Sequence, residues 1–405
     1  MKNLFKKLKA IWWGLKLFVA QIFFGNPAGK LKIVGVTGTN GKTTTVTLLY
    51  EIARALGHKA GLVSTVEILA EGEKIDILKK GSAGPGTTPD SVVLTKIFKQ
   101  MVDRGCEYVF MEVSSHAMDQ NRVAGINFAG GIFSNLTQDH LDYHKDMENY
   151  FLAKKKFFQM LSAEAFALAN IDDVSGLRML EDIRARKYTY GFNTPSDFSE
   201  KLETKLIGNF NAYNALAVFA AATLLWEDKE KIKEIIKNIE PPRGRFEHFT
   251  SGTGVLVIVD YAHTPDALLN VLQTIKQLDF AEVGLRQKGK TICVFGCGGD
   301  RDPIKRPIMG KIGAKYSDIA IFTSDNPRSE DPEKIIEQMK TTLTPEELQK
   351  ARTISNRYEA IKEAVRIAQA GDIILCAGKG HEDYQEIKGV RNHFDDMEEF
   401  KKIFQ

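Results

Sequence analysis

The chain has 405 residues, of which 43% are hydrophobic and 26% are charged, a composition typical of a soluble globular protein of two or three domains. Its formal net charge of +3 excludes a strongly polyanionic partner, so we predict no nucleic-acid binding. The four cysteines are widely spaced and lack the paired spacing of a zinc site, which favours the reducing cytoplasm as the location.

The chain opens with the basic and apolar stretch "MKNLFKKLKAIWWGLKLFVAQIFF". Lys16 and Gln21 interrupt its apolar run, which is also short for a membrane span, and no good signal-peptide cleavage site follows. We predict a helix over about Asn3–Phe24 in an N-terminal segment, 1–29. This helix either packs on the next domain or makes a weak peripheral contact with anionic lipid through residues 1–24.

Strand-like apolar runs alternate with helical patterns after this segment. Five runs occupy the first half of the chain, at 31–38, 60–66, 108–115, 130–137 and 165–172. Helical patterns lie between them, as at Thr43–Leu56 and Ser91–Asp103. Alternation of this kind predicts an α/β fold with a doubly wound, mostly parallel sheet.

A second series of apolar runs follows "PPRGRFEHF", at 255–261, 290–299, 318–325 and 372–380. We therefore predict a central domain at 30–245 with a mostly parallel sheet of the P-loop type. A C-terminal, Rossmann-like α/β domain is expected at 246–405, and the short helix of 1–29 precedes both domains.

The segment "VTGTNGKTTT" follows the first predicted strand and has the residues of a phosphate-binding loop. Gly38 and Gly41 allow backbone N–H groups to converge on phosphate oxygens. Lys42 adds a positive charge for the β and γ phosphates, and the hydroxyl of Thr43 or Thr44 is suited to Mg²⁺. The next helix begins here, so its positive N-terminus faces the anion.

Two further motifs carry possible metal ligands at predicted strand ends. Glu112 follows "EYVF", where a carboxylate reaches a nucleotide-bound Mg²⁺ or else makes a surface ion pair. His140 lies close in sequence to Asp139 and Asp142, which together form a metal-friendly set. A single histidine is more often structural, but this one follows a strand of the same predicted sheet as Lys42.

Three polar motifs follow predicted strands of the C-terminal domain: "GGDRDPIKRP", "TSDNPRSEDP" and "AGKGHEDYQ". Ligands of open parallel sheets bind at these strand ends. Arg301, Asn326 and Arg328 on one side and Glu382 on the other suit a zwitterion, because arginine pairs with carboxylate and glutamate with ammonium. By itself, "DNPR" is also compatible with a simple turn.

The loop "TGTNGKTTT" resembles that of the Mur ligases, the ATP-dependent amide-forming enzymes of peptidoglycan precursor synthesis. An ordinary P-loop has glycine where Val36 stands, and the shift of the first glycine to Gly38 is the pattern of this family. "DNPR" with "GKGHEDYQ" resembles the branch that adds meso-diaminopimelate. The resemblance implies that ATP phosphorylates a UDP-muramoyl dipeptide and that meso-diaminopimelate attacks the resulting acyl phosphate.

The resemblance also implies roles for individual residues. It assigns catalysis to Lys42, Glu112, His140 and Lys154. It assigns ATP binding to Gly38, Thr39, Asn40, Gly41, Lys42, Thr43, Thr44, Asn211, Asn214, Arg245, Asp260 and His263. It implies two Mg²⁺ ions, held by Thr43, Glu112, His140 and a carbamylated Lys154. It assigns acceptor binding to Thr87, Thr88, Ser114, Gln120 and Arg122. It assigns the incoming amino acid to Arg301, Asp325, Asn326, Arg328, Gly378 and Glu382.

The resemblance extends from about Lys30 to the C-terminus. Related ligases begin with a separate uridine-nucleotide-binding domain, which we expect to be absent here, so the way the UDP of the acceptor is held stays open. Folylpolyglutamate synthetases share the core and lack that domain, and another acceptor, another diamino acid or a non-catalytic binding protein are further alternatives. "TTPD", "EVSSHAMDQNRV" and "DNPR" favour the peptidoglycan enzyme. We expect a cytoplasmic monomer.

Overall fold

The computed structural model describes residues 23–75, 87–278, 285 and 289–405. The helix predicted over about Asn3–Phe24 lies outside the described residues apart from its last two, so it and the predicted lipid contact stay predictions. The described chain divides into two compact units. Unit 1 comprises the residues up to Lys205 together with Asn211–Ile239, and unit 2 comprises Leu206–Phe210 and Glu240–Gln405.

The sheet of unit 1 has eight strands among the described residues, in the order β4-β3-β2-β5-β1-β6-β7-β8. Their bounds are β1 Lys32–Thr37, β2 Ala60–Val63, β3 Ile68–Ala70, β4 Glu73–Lys74, β5 Tyr108–Glu112, β6 Phe128–Phe133, β7 Phe166–Asn170 and β8 Arg186–Tyr190. All neighbours from β2 to β8 pair in parallel, while β3 and β4 are antiparallel at one edge.

Helices lie between and after these strands in the chain. Their bounds are α1 Lys42–Ala55, α2 Ser91–Asp103, α3 Ser115–Asp119, α4 Leu141–His144, α5 Met147–Gln159, α6 Gly176–Leu180, α7 Asn209–Trp226 and α8 Lys229–Asn238. A 3₁₀ turn, Pro27–Lys30, precedes β1. The central strands are almost wholly buried, as expected of parallel strands covered on both faces.

Strand β1 lies between β5 and β6, at the point where the strand order reverses. The segments that follow these three strands therefore meet at one edge of the sheet, where ligands of doubly wound folds bind. They are the glycine loop after β1, the residues after Glu112 and the segment that begins at Ser134. The sheet topology thus brings together motifs that are up to about a hundred residues apart.

Among its described residues, unit 2 contains a six-stranded sheet in the order β13-β12-β11-β14-β10-β9, in which β9 is antiparallel, and a separate hairpin, β15–β16. The strand bounds are β9 Glu247–Thr250, β10 Leu256–Asp260, β11 Thr291–Phe295, β12 Ile319–Phe322, β13 Ala351–Thr353, β14 Ile373–Ala377, β15 Tyr384–Ile387 and β16 Val390–His393. The helix bounds are α9 Pro265–Gln277, α10 Lys305–Tyr316, α11 Pro332–Lys340, α12 Pro345–Lys350, α13 Arg357–Ile367 and α14 Asp396–Phe404.

The predicted fold class, α/β with two mostly parallel sheets, is confirmed. The helix predicted over Thr43–Leu56 is observed as α1 one residue earlier, and the helix over Ser91–Asp103 has the predicted bounds. The antiparallel edge strands and the β15–β16 hairpin were not predicted, since each is only two to four residues long. None of the described helices is long and apolar enough to span a membrane.

Candidate active site

The glycine loop between β1 and α1 has a conformation that side chains would prevent. Gly38 has φ 148° and Gly41 has φ 86°, values that favour glycine. A Cβ atom on Gly38 would lie 1.9 Å from Ser134 Oγ, and one on Gly41 would lie 2.3 Å from Asn214 Oδ1. Both glycines are therefore required by backbone conformation and by close neighbours, and α1 begins directly after them at Lys42.

The segment after β6 holds the loop in place. Asn40 N donates to Asn135 Oδ1 at 2.9 Å, and Asn135 Nδ2 donates back to Asn40 O at 3.1 Å. Thr39 N donates to Asn135 O at 2.9 Å, and Ser134 Oγ donates to Asn40 O at 2.6 Å. Sequence reasoning missed Asn135, whose only signal is an amide directly after a buried strand. These bonds fix the loop backbone before any phosphate arrives.

Two lysines approach one carbonyl oxygen of this loop. Lys42 Nζ donates to Gly38 O at 2.9 Å and to Thr39 O at 2.7 Å, and Lys154 Nζ donates to Gly38 O at 2.6 Å. Lys154 is 1% exposed, and its Nζ lies 4.5 Å from the ring centroid of Tyr150. Burial, and next the charge of Lys42, hold the pKa of Lys154 well below its usual range. Its side chain is therefore biased toward the neutral amine.

Glu112, at the end of β5, faces the first turn of α1. Thr43 Oγ1 donates to Glu112 Oε1 at 2.8 Å. Thr65, which sequence reasoning missed, donates its backbone N–H to Glu112 Oε1 at 2.7 Å and its hydroxyl to Oε2 at 3.1 Å. The carboxylate is 1% exposed. A hydroxyl and a carboxylate in contact beside a phosphate loop form the oxygen-rich environment that Mg²⁺ prefers.

His140 starts α4 with a left-handed backbone, φ 54°, and its Nε2 lies 3.3 Å from Asp139 Oδ2. Burial lowers the pKa of His140 in spite of this neighbour, and His116 and the lysines act in the same direction. The ring of His116 lies 4.8 Å from that of His140 and 5.4 Å from that of His144. Within the described residues, no group of three or more acidic, histidine or cysteine side chains is arranged to hold a metal.

Hydrogen bonds connect the candidate acceptor-binding residues to one another. Thr88 Oγ1 donates to Glu112 O at 2.9 Å and accepts from Ser114 N at 3.0 Å. Arg122 Nη1 donates to Thr88 O at 2.7 Å, and its Nη2 donates to Gln120 Oε1 at 2.6 Å. The structure thus brings together four of the five predicted residues around the end of β5. The fifth, Thr87, precedes Thr88 in the chain.

Sequence reasoning missed a tyrosine, Tyr143, that is hydrogen-bonded to these acceptor candidates. Tyr143 of α4 accepts a hydrogen bond from Gln120 Nε2 at 3.4 Å and donates one to Asp119 Oδ2 at 2.9 Å. Tyr143 therefore connects the acceptor candidates to the helix that begins after His140. No spacing in the sequence points to this contact.

Asn211 and Asn214 are buried within α7, past its first residue Asn209, and are not at its N-cap. Asn214 Nδ2 donates to Asn211 Oδ1 at 3.1 Å, and Asn214 Oδ1 is the atom closest to a Cβ built on Gly41. Both amides therefore lie beside the glycine loop. Their placement next to the predicted phosphate loop is consistent with the predicted nucleotide contact.

In unit 2, the other predicted nucleotide residues follow or precede β10. Asp260 Oδ2 accepts from Phe246 N at 2.7 Å, and burial raises the pKa of Asp260 to about 6. The guanidinium of Arg245 lies 4.8 Å from the ring centroid of Tyr261. Lys305 Nζ donates to the carbonyl of His263 at 2.7 Å. These groups cluster at the carboxyl end of β10, where a ligand of this sheet is expected.

The predicted amino-acid residues are connected by direct contacts. Asn326 Nδ2 donates to Glu382 Oε2 at 2.7 Å, and Lys379 Nζ lies 3.6 Å from the same oxygen. Arg328 Nη1 donates to Gly299 O at 2.7 Å. Burial, and next the charge of Asp325, raise the pKa of Glu382. Sequence reasoning missed Lys379, although it lies within the quoted "GKGHEDYQ".

Two further residues predicted to bind the amino acid, Gly378 and Arg301, lie near this cluster. Gly378 has φ 112°, and a Cβ there would lie 2.7 Å from Asp325 Oδ2, so the close approach of Asp325 requires glycine. Arg301 is exposed, and its Nη1 donates to Asp300 O at 3.2 Å. The site therefore combines a buried acidic side with a more open arginine side.

A buried ion pair that the sequence did not indicate stabilises the floor of the cluster. Arg357 donates to both carboxylate oxygens of Asp396 at 2.7 Å, and both side chains are wholly buried. The same guanidinium donates to Ser324 O and Ala377 O, each at 3.2 Å. These carbonyls directly precede Asp325 and Gly378. The pair thus fixes the two strand ends from which the amino-acid residues project.

Comparison with known proteins gives two family matches. Residues 36–222 match the Mur ligase middle domain, and residues 244–380 match the Mur ligase, glutamate ligase domain. The chain is 49% identical to the UDP-N-acetylmuramoyl-L-alanyl-D-glutamate–2,6-diaminopimelate ligase of Bacteroides thetaiotaomicron, across 95% of this chain and 81% of that protein. Identity to the ligase of the same name from Geobacillus kaustophilus is 43%, across 93% and 80%.

Solved structures give similar results. A structure of a UDP-N-acetylmuramoyl-L-alanyl-D-glutamate–2,6-diaminopimelate ligase matches 92% of this chain and 78% of its own, with a TM-score of 0.61 and 33% identity. The folylpolyglutamate synthase of Mycobacterium tuberculosis complexed with ADP and AMPPCP matches 90% and 92%, with a TM-score of 0.68 and 16% identity. At that identity, the second likeness shows a shared fold only.

Proposed function

The chain belongs to the Mur ligase family, and we propose that it adds meso-diaminopimelate to the D-glutamate of UDP-N-acetylmuramoyl-L-Ala-D-Glu in peptidoglycan precursor synthesis. It is an ATP-dependent ligase that forms a C–N bond. The observation that supports this most strongly is the 49% identity, over 95% of the chain, to a ligase of that name. We place the enzyme in the cytoplasm, where its nucleotide substrates are made, and expect a monomer.

The first step transfers a phosphoryl group. A carboxylate oxygen of the acceptor attacks the γ phosphorus of ATP, the bond to the bridging oxygen breaks, and ADP leaves. We propose that the loop backbone after Gly38 and the ammonium of Lys42, which lies against that loop, stabilise the charge on the transferred group. Thr88, Ser114 and Arg122 are proposed to hold the acceptor. The acceptor's own carboxylate is the nucleophile, so no covalent enzyme intermediate is needed.

The residues around Glu112 fit a Mg²⁺ ion. The Thr43 hydroxyl and the Glu112 carboxylate are in contact, buried and next to the phosphate loop. When bound, Mg²⁺ would offset the negative charge of the phosphates. We propose Thr43 and Glu112 as ligands of one ion, and His140 as a ligand of a second.

Lys154 is proposed to carry a carbamate. A buried, neutral amine is the form that adds carbon dioxide, with loss of one proton. The product is an anion, able to hold a cation at the place where an ammonium would repel it. Carbamylation would also remove the repulsion between Lys154 and Lys42, whose amino groups now donate to the same carbonyl oxygen.

The second step forms the amide. The free amine of the incoming amino acid attacks the acyl phosphate carbon, and inorganic phosphate leaves with the bonding electrons. We propose that Glu382 binds the ammonium end of the substrate and that Arg328 binds its distal carboxylate. That carboxylate is present in meso-diaminopimelate and absent from lysine. The fork of Arg328 therefore gives the preference for meso-diaminopimelate.

Phosphate release tests this function. We expect the purified chain to release phosphate from ATP only when both UDP-muramoyl dipeptide and meso-diaminopimelate are present, and to release far less with lysine. A folate acceptor with glutamate is the control for the folylpolyglutamate alternative. Absence of release with every muramoyl acceptor would contradict the proposed activity.

The carbamate has its own test. We expect Lys154→Ala to lose about 10²–10³ in kcat and to recover part of it when short carboxylic acids are added, since these replace the missing anion. In the unmodified enzyme, ¹³C-bicarbonate should give a carbamate NMR signal that Lys154→Ala lacks. Lys156→Ala, at an exposed lysine of the same helix, is the control. No rescue and no signal would show that Lys154 acts as an amine.

A further inference from the structure

The hairpin β15–β16 contacts the backbone of the segment that carries Arg328. Arg328 N donates to Glu386 O at 3.0 Å, and Lys388 N donates to Arg328 O at 2.6 Å. These two bonds pair Arg328 with Ile387 as a single β-bridge. The hairpin thus forms hydrogen bonds on both sides of the Cα atom of Arg328, the residue proposed to select the amino acid.

These two bonds are important because Arg328 has an unusual backbone conformation. Its φ is 51°, in the left-handed region that non-glycine residues rarely adopt. Such a conformation persists only where neighbouring contacts determine it. The side chain depends on it, because Arg328 Nη1 donates to Gly299 O at 2.7 Å from this backbone position. The direction of the guanidinium is therefore set by the contacts that hold φ positive.

The same hairpin also holds the neighbours of Arg328. Glu386 N donates to Asn326 Oδ1 at 2.7 Å, which leaves the Asn326 amide nitrogen directed at Glu382. Gln385 Nε2 donates to Asp325 O at 2.8 Å. The hairpin therefore holds three of the four residues of "DNPR", two of them through main-chain atoms.

The hairpin has the features of a rigid element. Lys388 and Gly389 form its turn with φ 49° and 77°, the positive values that match the twist of a two-residue hairpin. Across the strands, Arg391 Nε donates to Glu386 Oε2 at 3.0 Å, and the guanidinium lies 4.5 Å from the ring centroid of Tyr384. Lys379 Nζ donates to the carbonyl of Tyr384, which ties the hairpin to the Glu382 side of the site.

We infer that the hairpin β15–β16 is the positioning element that sets amino-acid specificity, acting through the backbone of Arg328. The inference rests on the proposed function, since it assigns Arg328 to the distal carboxylate. The hairpin does not need to touch the substrate. It holds the left-handed backbone from which the Arg328 fork meets a carboxylate in the required plane.

A matched pair of substitutions at one exposed residue tests this. Lys388→Pro removes the N–H that donates to Arg328 and forbids φ 49°. Lys388→Gly also removes the side chain but keeps the N–H and favours positive φ. We expect Lys388→Pro to raise KM for meso-diaminopimelate at least about tenfold and to lower the preference over lysine by a similar factor. KM for ATP should not change, and Lys388→Gly should behave as the unmodified enzyme.

Hydrogen exchange separates this inference from the proposed function. In Lys388→Pro, but not in Lys388→Gly, backbone amides of residues 325–330 should exchange faster, a readout that needs no turnover. If the unmodified enzyme is inactive with meso-diaminopimelate, the proposed function fails whatever the exchange shows. Unchanged exchange and unchanged amino-acid KM in Lys388→Pro would overturn the inference. An equal rise in KM for ATP and for meso-diaminopimelate would also overturn it, because it would indicate general damage.

Discussion

The proposed phosphate loop of unit 1 and the proposed amino-acid site of unit 2 arrange their charged groups in different ways. In unit 1, the amino groups of Lys42 and Lys154 both donate to the carbonyl of Gly38, while the nearby carboxylate of Glu112 accepts from hydroxyl and amide groups. In unit 2, the carboxylate of Glu382 is matched by Lys379 and an amide. Before a ligand or a carbamate is present, the first site therefore brings two basic side chains together, whereas the second pairs an acid with a base.

This difference indicates what each ligand has to supply. The proposed phosphate loop brings basic side chains together where charge is costly to bury, and a polyanion such as ATP, or the carbamate proposed on Lys154, relieves that cost. The amino-acid site holds its groups in a network that is satisfied before the substrate arrives, so its geometry, more than its net charge, selects the ligand. Substitutions in the first site should therefore affect catalysis without loss of stability, whereas those in the second should affect selectivity.

The largest effect is expected for Lys42→Met, which removes the ammonium proposed to meet the transferred phosphoryl group. We expect kcat for ADP release to fall at least about 10³-fold, because the transferred phosphoryl loses its cation. In bicarbonate-free buffer, where Lys154 carries no carbamate, thermal stability should be unchanged or higher, since the charge of Lys42 no longer acts on buried Lys154. Lys59→Met, at an exposed lysine, is the control and should match the unmodified enzyme. A marked loss of stability in Lys42→Met in that buffer would show that the two basic side chains do not disfavour each other.

A smaller and more selective effect is expected for Arg328→Lys, which keeps the charge in unit 2 but loses the planar fork. KM for meso-diaminopimelate should rise about 10- to 100-fold, while KM for ATP stays constant. Steady-state kinetics with each substrate varied in turn measures both. Arg352→Lys, at an exposed arginine paired with Glu363, is the control. An equal rise in KM for ATP and for meso-diaminopimelate would contradict the idea that the geometry of this site selects the amino acid.

The phosphate loop could be predicted from the sequence because its determinants are local. Gly38, Gly41 and Lys42 lie within five residues, and positive φ at glycine and the start of a helix both have sequence signals. The strand ends that carry Glu112 and Arg328 were predicted for the same reason. The alternating pattern of apolar strands and helices places such residues at one edge of a sheet.

The supporting contacts could not be predicted, because their partners are far apart in the chain. Asn135 holds Asn40 across 95 residues, and Arg357 pairs with Asp396 across 39. The hairpin that fixes Arg328 consists of two strands of four residues each, too short for a reliable pattern. These contacts depend on how the sheets are assembled, which no local spacing of residues records.

The smallest effect concerns Asp260, a buried carboxylate of unit 2 whose pKa burial raises to about 6. The folded state binds this proton more tightly than the unfolded state does, so stability falls as pH rises from about 4 to 6 and stays lower above that. Asp260→Asn removes the penalty and can still accept from Phe246 N. We expect the free energy of unfolding of this variant to be about 1–2 kcal/mol higher than that of the unmodified enzyme at pH 7.5. In denaturant titrations this gain should become smaller toward pH 4.5. A gain independent of pH would show that it does not come from the ionisation of Asp260.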